Sequence, residues 1–455
     1  MGRVKSWVGS AVVAVLLLAG CTDDDGGPDP DRFDTGPHRD PAWSVRMPDG
    51  FGRPARAQVA GDAVVVEADN GVVVLARSDG AARWQRKEST GSAVRQVRVA
   101  GTTLVVDEGD RVRLVDLATG AERPELRGSG LPNSVAVTTT GVYLVESIVD
   151  TSGTRLVAYD LAGTARWKRE FASHVRLAGS ATGDDADPLA AAPPGPVVAG
   201  VRQASGMWVN WSLSADTGAD LVRLPGDQEF RERGESRIGD TLLTWNEQSS
   251  DCALPVTAID TGTAATRWQG PVGQWTLWRT DKDAWCGGAW RPLVVGGRSL
   301  LASTPAEEGQ VRDVVSGAVR WTGPPGTYPM TLAGDTLLAR AGHGLGALVA
   351  VDLAGGAERW RRTLPPANDL APNELNLRHA GLADAFVLPV ADAADAENAP
   401  ATRVVVFDAR TGDPRWSTAG VGFLLGAGGA GVVTAFYEGL SPTDPGPVEI
   451  RYTPL

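Results

Sequence analysis

Alternating apolar and polar residues recur along the chain in one repeated phrase. Each copy has a short apolar run, an acidic or polar residue, a glycine turn and then Arg-Trp, as in LVAYDLAGTARW, which ends at Trp167. The two-residue period predicts β-strands, and the acidic residue with the glycine predicts a tight turn. Six copies end in tryptophan and two degenerate copies do not: Trp84, Trp167, Trp268, Trp321, Trp360 and Trp416, with Pro124 and Val222 in the degenerate ones.

The spacing of the turn glycines predicts the length of the repeating unit. Successive glycines lie 39 to 56 residues apart, at Gly80, Gly120, Gly163, Gly218, Gly262, Gly317, Gly356 and Gly412. A second pair of strand-like runs precedes each phrase, as in QVRVAG followed by TTLVVDEG. Four strands per repeat is the pattern of a β-propeller blade, because such sheets bury their faces only by stacking in a ring. We therefore expect an all-β, closed propeller of four-stranded antiparallel blades.

The two ends of the chain supply complementary parts of one more blade. The segment that begins at Pro41 reads as an outer strand without inner partners. The C-terminal runs GFLLGAG, GVVTAFYEG and PVEIRYTP read as three strands that lack an outer one. Pairing them predicts a clasp that closes the ring. Eight phrases and this clasp give nine blades; we favour eight, because the degenerate copies can merge with their neighbours or pack irregularly, and nine stays open.

Each residue of the phrase has an expected role. The aspartate is expected to accept hydrogen bonds from turn amides, and the glycine to adopt a positive φ. The tryptophan offers a large flat ring that docks against the next blade. The arginine before it lies on the opposite face of the strand, where we expect it to point to water.

The N-terminus predicts export and lipid attachment. Arg3 and Lys5 precede the short apolar run Ala11–Ala19, and Leu18-Ala19-Gly20-Cys21 resembles a bacterial lipobox. This pattern predicts a signal peptide at residues 1–20 and acylation of Cys21, which would anchor the protein to a membrane. The alternative is an ordinary thiol at Cys21.

The rest of the chain divides into a spacer and the propeller. Residues 21–40 are rich in Asp, Gly and Pro and predict a flexible acidic tether, and residues 41–455 predict the propeller.

The chain has 455 residues and a net charge of −12, which argues against nucleic acid as a partner. Four histidines and three cysteines argue against a metal cluster. We expect no cofactor and a monomeric propeller.

The repeated Asp-x-x-x-Gly-x-x-x-Trp phrase resembles the tryptophan-docking, quinoprotein-like (PQQ-like) β-propeller repeat. With the lipobox, the chain is similar to lipoproteins of the outer-membrane assembly factor B (BamB) family, whose members usually have eight blades. The quinone enzymes of this fold use two adjacent cysteines, which this sequence lacks, together with calcium ligands and a catalytic aspartate. Turn chemistry accounts for the aspartates of the phrase, and His174, His343 and His379 have no assignable triad partners. The resemblance therefore implies a fold, and catalysis is not expected.

Two cysteines and a cluster of tryptophans give the candidate site. In an exported protein Cys252 and Cys286 would form a disulfide, since both fall in connections at the same end of the predicted blades; two free thiols are the alternative. The connection with Cys286 also carries four tryptophans, Trp275, Trp278, Trp285 and Trp290. Three tryptophans of adjacent blades, Trp208, Trp211 and Trp245, would extend this cluster. These rings either form a binding surface or fill gaps between blades.

The leading functional hypothesis is a non-catalytic scaffold that binds an envelope or secreted protein from outside the cytoplasm. In a single-membrane bacterium it would lie on the outer face of the plasma membrane. The alternative is a small-molecule or glycan receptor that uses the Trp275–Trp290 loop, and a quinone-dependent enzyme is the third hypothesis.

Overall fold

The computed structural model describes most of the predicted propeller. It covers residues 34–87, 96–131, 133–148, 153–180, 189–225, 233–246, 253–273, 293–303, 308–341, 346–363, 379–391, 402–418, 422–437 and 448–455. Every regular element in these ranges is a β-strand. The described residues contain no helix long and apolar enough to cross a membrane.

The strands pair as successive groups of four, which we number as blades along the chain. Blades 1 to 3 comprise Pro54–Ala60, Ala63–Ala68, Gly71–Ala76 and Ala82–Lys87; Gln96–Ala100, Thr103–Asp107, Arg111–Asp116 and Leu126–Arg127; and Val135–Thr138, Gly141–Ser147, Thr154–Tyr159 and Ala165–Phe171. Blades 4 to 6 comprise Val175–Leu177, Val197–Arg202, Trp208–Leu213 and Asp220–Arg223; Arg233–Ile238, Thr241–Asn246, Ala253–Asp260 and Thr266–Gly273; and Leu293–Val295, Ser299–Ser303, Glu308–Asp313 and Val319–Pro325.

The last three blades follow the same order. They comprise Thr327–Ala333, Thr336–Ala341, Ala347–Asp352 and Glu358–Thr363; Ala380–Gly381, Ala385–Ala391, Thr402–Asp408 and Pro414–Thr418; and Phe423–Gly428, Gly431–Tyr437, Val448–Pro454 and Trp43–Arg46. Within each blade neighbouring strands are antiparallel. Single residue pairs also join blade 5 to blade 6 and blade 6 to blade 7, at Gly273–Ser303 and Glu308–Thr327.

The blade count over the described residues is nine, the alternative that the sequence left open, and not the eight that we favoured. The degenerate copies do not merge with their neighbours, because each still supplies a fourth strand. Where Pro124 replaces tryptophan, however, that strand is only Leu126–Arg127. Proline has no amide N–H to donate to the sheet, which accounts for the shortened edge.

The predicted clasp is confirmed. Trp43–Arg46 pairs antiparallel with Val448–Pro454, with Trp43 opposite Tyr452. The N-terminal segment is therefore the outer strand of blade 9. The chain before it is also held, because His38–Arg39 pairs in parallel with the outer strand of blade 8. The end of the segment expected as a flexible tether thus packs on the propeller.

The buried side chains close the ring. Apolar clusters form between each consecutive pair of blades, and one further cluster joins blade 9 to blade 1. In that last cluster Trp43 and Ile450 meet Val64 and Val73, all less than a tenth exposed. Each blade thus buries both faces against neighbours, which one four-stranded sheet cannot do alone.

Tryptophan docking is confirmed at four of the phrase tryptophans and at the clasp. At each of these the indole Nε1 donates to a backbone carbonyl of the next blade: Trp84 to Leu117, Trp167 to Ala215, Trp268 to Val314, Trp360 to Ala409, and Trp43 of blade 9 to Arg77 of blade 1, at 2.8 to 3.0 Å. In each case the indole ring of the tryptophan lies over the turn glycine of the next blade. At Gly412, where φ is +76°, an added Cβ would lie 2.5 Å from the ring of Trp360. Glycine is therefore required there by both backbone conformation and space.

The arginine before the tryptophan does not point to water as expected. In four blades it instead binds carboxylates within its own blade: Arg83 with Asp62, Arg267 with Asp240 and Asp260, Arg359 with Asp335 and Asp352, and Arg415 with Asp384 and Asp408. For Arg267, Arg359 and Arg415 one aspartate belongs to the phrase and the other to the turn between the first two strands, whereas Arg83 binds only the aspartate of that turn. The guanidinium spans both turns because antiparallel pairing brings them to the same edge of the blade.

Candidate functional site

The two rims of the ring differ in the length of their connections. We call the rim where the first strand turns into the second, and the third into the fourth, the hairpin face. The opposite rim, with the turns from second to third strand and the links between blades, is the loop face. Most hairpin-face turns between first and second strands are short, such as residues 61–62, 239–240 and 334–335. Loop-face connections include residues 274–292, 364–379, 392–401 and 438–447.

The long links exceed what the architecture requires. Gly326 alone links blades 6 and 7, and residues 172–174 link blades 3 and 4. The link between blades 5 and 6 takes residues 274–292 for the same step. Long connections on a rigid scaffold commonly carry binding function. The loop face is therefore the candidate functional surface.

The site residues predicted from the sequence lie outside the described residues. These are Cys21, Cys252, Cys286, Trp275, Trp278, Trp285 and Trp290, together with His343. The lipid attachment, the disulfide and the tryptophan surface therefore stay predictions.

The strands that flank the two cysteine-bearing connections do lie together. Ala253, which follows Cys252, pairs with Gly273, the last residue before the long link. Gly273 also pairs with Ser303 of blade 6. The turn with Cys252 and the link with Cys286 thus start side by side on the loop face, which is the arrangement that a disulfide between them would need.

The three further tryptophans have different surroundings. Trp245 is 5% exposed and packs between blades 5 and 6. Trp211 packs with residues of blades 3 and 4. The ring of Trp208 lies 4.9 Å from the guanidinium carbon of Arg176, which places a cation against its π-face. Trp211 and Trp245 therefore fill space between blades.

Sequence analysis missed a segment that crosses the inner edges of several blades. After the first strand of blade 4, Gly179–Ser180 pairs in parallel with blade 5, and residues 189–195 form what we call the strap. The strap lies along the free edges of blades 2 and 3: Val99 donates to Leu189 O at 2.7 Å, Ala191 to Val99 O at 2.9 Å, and Thr139 to Ala192 O at 2.8 Å. The 55-residue interval between Gly163 and Gly218 was the only signal of this insertion.

Buried side chains hold the strap in place. Leu189 is fully buried among residues of blades 1 and 2, and Ala191 packs between blades 2 and 3. Arg237 of blade 5 is 5% exposed and donates to Gly239 O at 2.8 Å and to Pro193 O of the strap at 3.5 Å. Burial lowers the pKa of Arg237. The strap thus occupies part of the centre of the ring near the hairpin face.

The innermost strands carry further charged groups. Arg176 of blade 4 and Glu235 of blade 5 form an ion pair at 3.2 Å with both side chains 8% exposed. Asn210 donates to the same carboxylate at 2.8 Å. Around blade 1, Arg56 binds Glu67 through two bonds of 2.6 and 2.9 Å. These pairs lie between neighbouring blades or strands and fix their relative positions.

The aspartates of the phrase act in turns as expected. Asp116 accepts from the amides of Ala118 and Thr119, and Asp408 from those of Arg410 and Thr411. The hydrogen bond from Arg267, opposed by burial and assisted by turn amides, lowers the pKa of Asp260 to about 2. These carboxylates are ionised and engaged at neutral pH. In the described residues no three His, Cys, Asp or Glu side chains are grouped as a metal site.

Comparisons with known proteins give one family. A sequence model described as outer membrane protein assembly factor BamB matches residues 39–187 and 256–424. A search of curated proteins finds no significant match.

Similar solved structures include BamB from Moraxella catarrhalis, 16% identical over 90% of this chain and 96% of that one, with a TM-score of 0.42. They also include the quinohemoprotein alcohol dehydrogenase ADHIIG from Pseudomonas putida HK5, 13% identical over 91% of this chain and 76% of that one, with a TM-score of 0.44. The designed protein Ika8 is 14% identical over 82% of this chain and 98% of that one, with a TM-score of 0.41.

Proposed function

The chain belongs to the family of the outer membrane protein assembly factor BamB, and we propose that it is a lipid-anchored, extracytoplasmic scaffold that binds an envelope or secreted protein without catalysing a reaction. The family description names a factor in the assembly of other proteins, and such a factor works through contacts with them. Cys21 would carry the lipid, and the loop face would carry the contacts.

The observation that carries this proposal is the link between blades 5 and 6. A single residue suffices between blades 6 and 7, so residues 274–292 are not needed to build the ring. Their sequence includes four tryptophans, in a connection that leaves and rejoins the propeller at the loop face. Aromatic residues are enriched at the energetic centres of protein interfaces. A disulfide between Cys252 and Cys286 would restrict this link before binding and reduce the entropy lost on association.

Catalysis is left out of the proposal on the chemistry of the residues. The phrase aspartates accept hydrogen bonds from turn amides, and in several blades they also bind arginine. Carboxylates engaged in this way are poorly suited to act as catalytic bases. The sequence has no adjacent cysteine pair of the kind that quinone enzymes of this fold use. We therefore derive no step through a quinone.

The test is photo-cross-linking in native membranes with probes at Trp278 and Trp285. Control probes belong at Ala118 and Ala354, exposed turn residues of the hairpin face. Gly412 is unsuitable for a probe, because any side chain there would meet Trp360. We expect one envelope or secreted protein to be captured from the loop-face probes alone.

Equal capture from both faces, or none, would contradict the scaffold proposal. Quenching of tryptophan fluorescence by glycans, with no captured protein, would instead support the receptor alternative, since sugars stack on indole faces. Turnover that depends on added quinone and calcium would support the enzyme alternative.

A further inference from the structure

The N-terminal part of the propeller runs along the outer edge of blade 8 in a defined direction. His38–Arg39 pairs in parallel with the outer strand of that blade, opposite Ser417 and Thr418. The outer strand begins at the phrase turn on the hairpin face and runs toward the loop face. Because the pairing is parallel, residues 34–39, which we call the anchor segment, also run from the hairpin face toward the loop face.

Specific contacts hold the anchor segment on blade 8. Ser417 N donates to Pro37 O at 3.0 Å, and the side-chain hydroxyl of the same serine lies 2.9 Å from His38 Nδ1. The guanidinium carbon of Arg39 lies 5.4 Å from the centroid of the Trp416 ring, which adds a cation–π contact. The segment is therefore fixed by backbone and side-chain groups on the outer strand.

Gly36 marks the place where the chain reaches the propeller. It has a φ of +69°, and a Cβ added there would lie 2.8 Å from Pro414 O. Its N–H donates to Asp34 Oδ1 at 2.8 Å. Pro414 is the first residue of the outer strand, so Gly36 packs at the hairpin end of blade 8. The chain from the N-terminus thus meets the propeller at the hairpin face.

The next attachment of the chain is at the same face. Trp43 begins the outer strand of blade 9 and donates to Arg77 O, in the phrase turn of blade 1. This turn lies on the hairpin face. Detachment of the anchor segment would therefore lengthen the connection to Cys21 without moving its origin to the loop face.

The distance that the connection can span is limited. Thirteen residues lead from Cys21 to Asp34, and fully extended they reach about 45 Å. A blade with strands of six or seven residues is about 20 Å high. With the loop face toward a membrane, the connection would have to pass this height along the outside of blade 8. With the hairpin face toward the membrane, its whole length remains for the gap.

The acidic groups of the hairpin face near the anchor segment are paired. Arg415 binds Asp384 at 2.8 Å and Asp408 at 2.7 Å. Asp413 is bound at 3.2 Å by an arginine of blade 7. The neighbouring Arg410 is exposed. These pairs reduce the negative charge that this part of the face presents to lipid headgroups.

We propose that the hairpin face at blades 7 to 9 is the surface that faces the lipid bilayer, and that the loop face points away from it. The inference rests on the lipid at Cys21 in the proposed function. It adds that a partner of residues 274–292 approaches from the aqueous side, so that these residues contact protein and not headgroups.

The test is energy transfer from a fluorescent amino acid to an acceptor on lipid headgroups. The full-length protein, extracted from membranes, is added to phosphatidylcholine vesicles that contain the acceptor lipid. The donor is placed at Arg410, on the hairpin face of blade 8, or at Asp49, in the loop-face link after blade 9, whose side chain is 95% exposed. We expect at least twofold more efficient transfer from position 410.

Two failures are distinguishable. Flotation of the vesicles and the mass of the N-terminal peptide report whether the protein is lipid-anchored. If it neither carries acyl chains nor floats, the anchoring in the proposed function fails and this inference fails with it. If it floats and transfer from position 49 equals or exceeds that from position 410, the orientation alone is refuted.

A matched pair of glycine substitutions tests the anchor segment. Gly36→Ala places a methyl group against Pro414 O, and we expect it to free the segment and to reduce the difference in transfer by at least half. Gly206→Ala is the control, because Gly206 also has a positive φ, +87°, but nothing lies within 4 Å of its Cβ position. It should leave the difference unchanged. An equal effect of both substitutions would contradict the role of the anchor segment.

Discussion

In blades 5, 7 and 8 one arginine joins the two turns of the hairpin face. Arg267 binds Asp260 of its own phrase at 2.5 Å and Asp240 of the first turn at 2.8 Å. Its side chain is 14% exposed, so solvent screens these contacts only in part. Loss of one carboxylate would therefore weaken the link between two turns of the same blade.

Asp260 should make blade 5 sensitive to acid. Its pKa falls from the ordinary value of 3.8 to about 2 in the folded protein, chiefly through the bond from Arg267. A lowered pKa stabilises the fold above the unfolded value, and this contribution is lost as the pH falls from about 4 to about 2. We expect Asp260→Asn to lower stability by up to about 1 kcal/mol at pH 7, since the pair is partly solvated, and to have a much smaller effect near pH 2, where the carboxyl of the folded protein is about half protonated. Urea unfolding at both pH values measures this, and a difference that is the same at both would contradict it.

The contact of tryptophan with the turn glycine can be separated from the effect of backbone conformation. Gly412 and Gly356 have φ of +76° and +70°, but only Gly412 faces a tryptophan ring, while nothing lies within 4 Å of the Cβ position at Gly356. We expect Gly356→Ala to cost about 1 kcal/mol, for the left-handed backbone alone. Gly412→Ala should cost about 2 kcal/mol more, because Trp360 must shift. If thermal unfolding shows the same loss of stability for Gly356→Ala and Gly412→Ala, the contact between Trp360 and Gly412 is too loose to resist an added methyl group.

At this scale the sequence predicted what is local. The turn role of the phrase aspartates and the docking of tryptophans such as Trp360 follow from residue types a few positions apart. The partner of Arg267 in the first turn could not be inferred, because Asp240 lies outside the phrase.

At the scale of elements, the strap is the departure from a regular repeat. The interval between Gly163 and Gly218 indicates an insertion in blade 4, but spacing does not show where inserted residues go. Their path is set by free N–H and carbonyl groups on the inner edges of blades 2 and 3, which appear only once the blades are assembled. An unpaired inner edge is a ready template for a further strand.

The strap should contribute substantially to stability. Leu189 is fully buried between blades 1 and 2. We expect Leu189→Ala to cost about 2 to 5 kcal/mol and to speed hydrogen exchange at the amides of Val99 and Ala191. Leu131→Ala is the matched control, because Leu131 is 41% exposed, and should change stability by less than about 0.5 kcal/mol. Equal effects of the two substitutions would mean that the strap is not anchored through Leu189.

At the scale of the whole molecule, the ring is closed by the same contact that joins its blades. Trp43 donates to Arg77 O at 2.8 Å and covers Gly80, as the phrase tryptophans do in the next blade along the chain. The sequence predicted this clasp because the terminal runs were complementary. It did not decide the number of blades, since a degenerate phrase leaves open whether its strands form a separate sheet.

The central claim is that residues 274–292 bind a protein partner while the propeller positions them. The most direct measurement replaces these residues with a four-residue Gly-Ser linker, together with Cys252→Ser. It then quantifies how much of the partner already identified by cross-linking to the wild-type protein still co-purifies with the variant from solubilised membranes. A matched control shortens residues 438–447, another loop-face connection. The account predicts at least a tenfold loss of partner in the first variant, little change in the control, and near wild-type thermal stability in both. Undiminished partner recovery after the first replacement would contradict it.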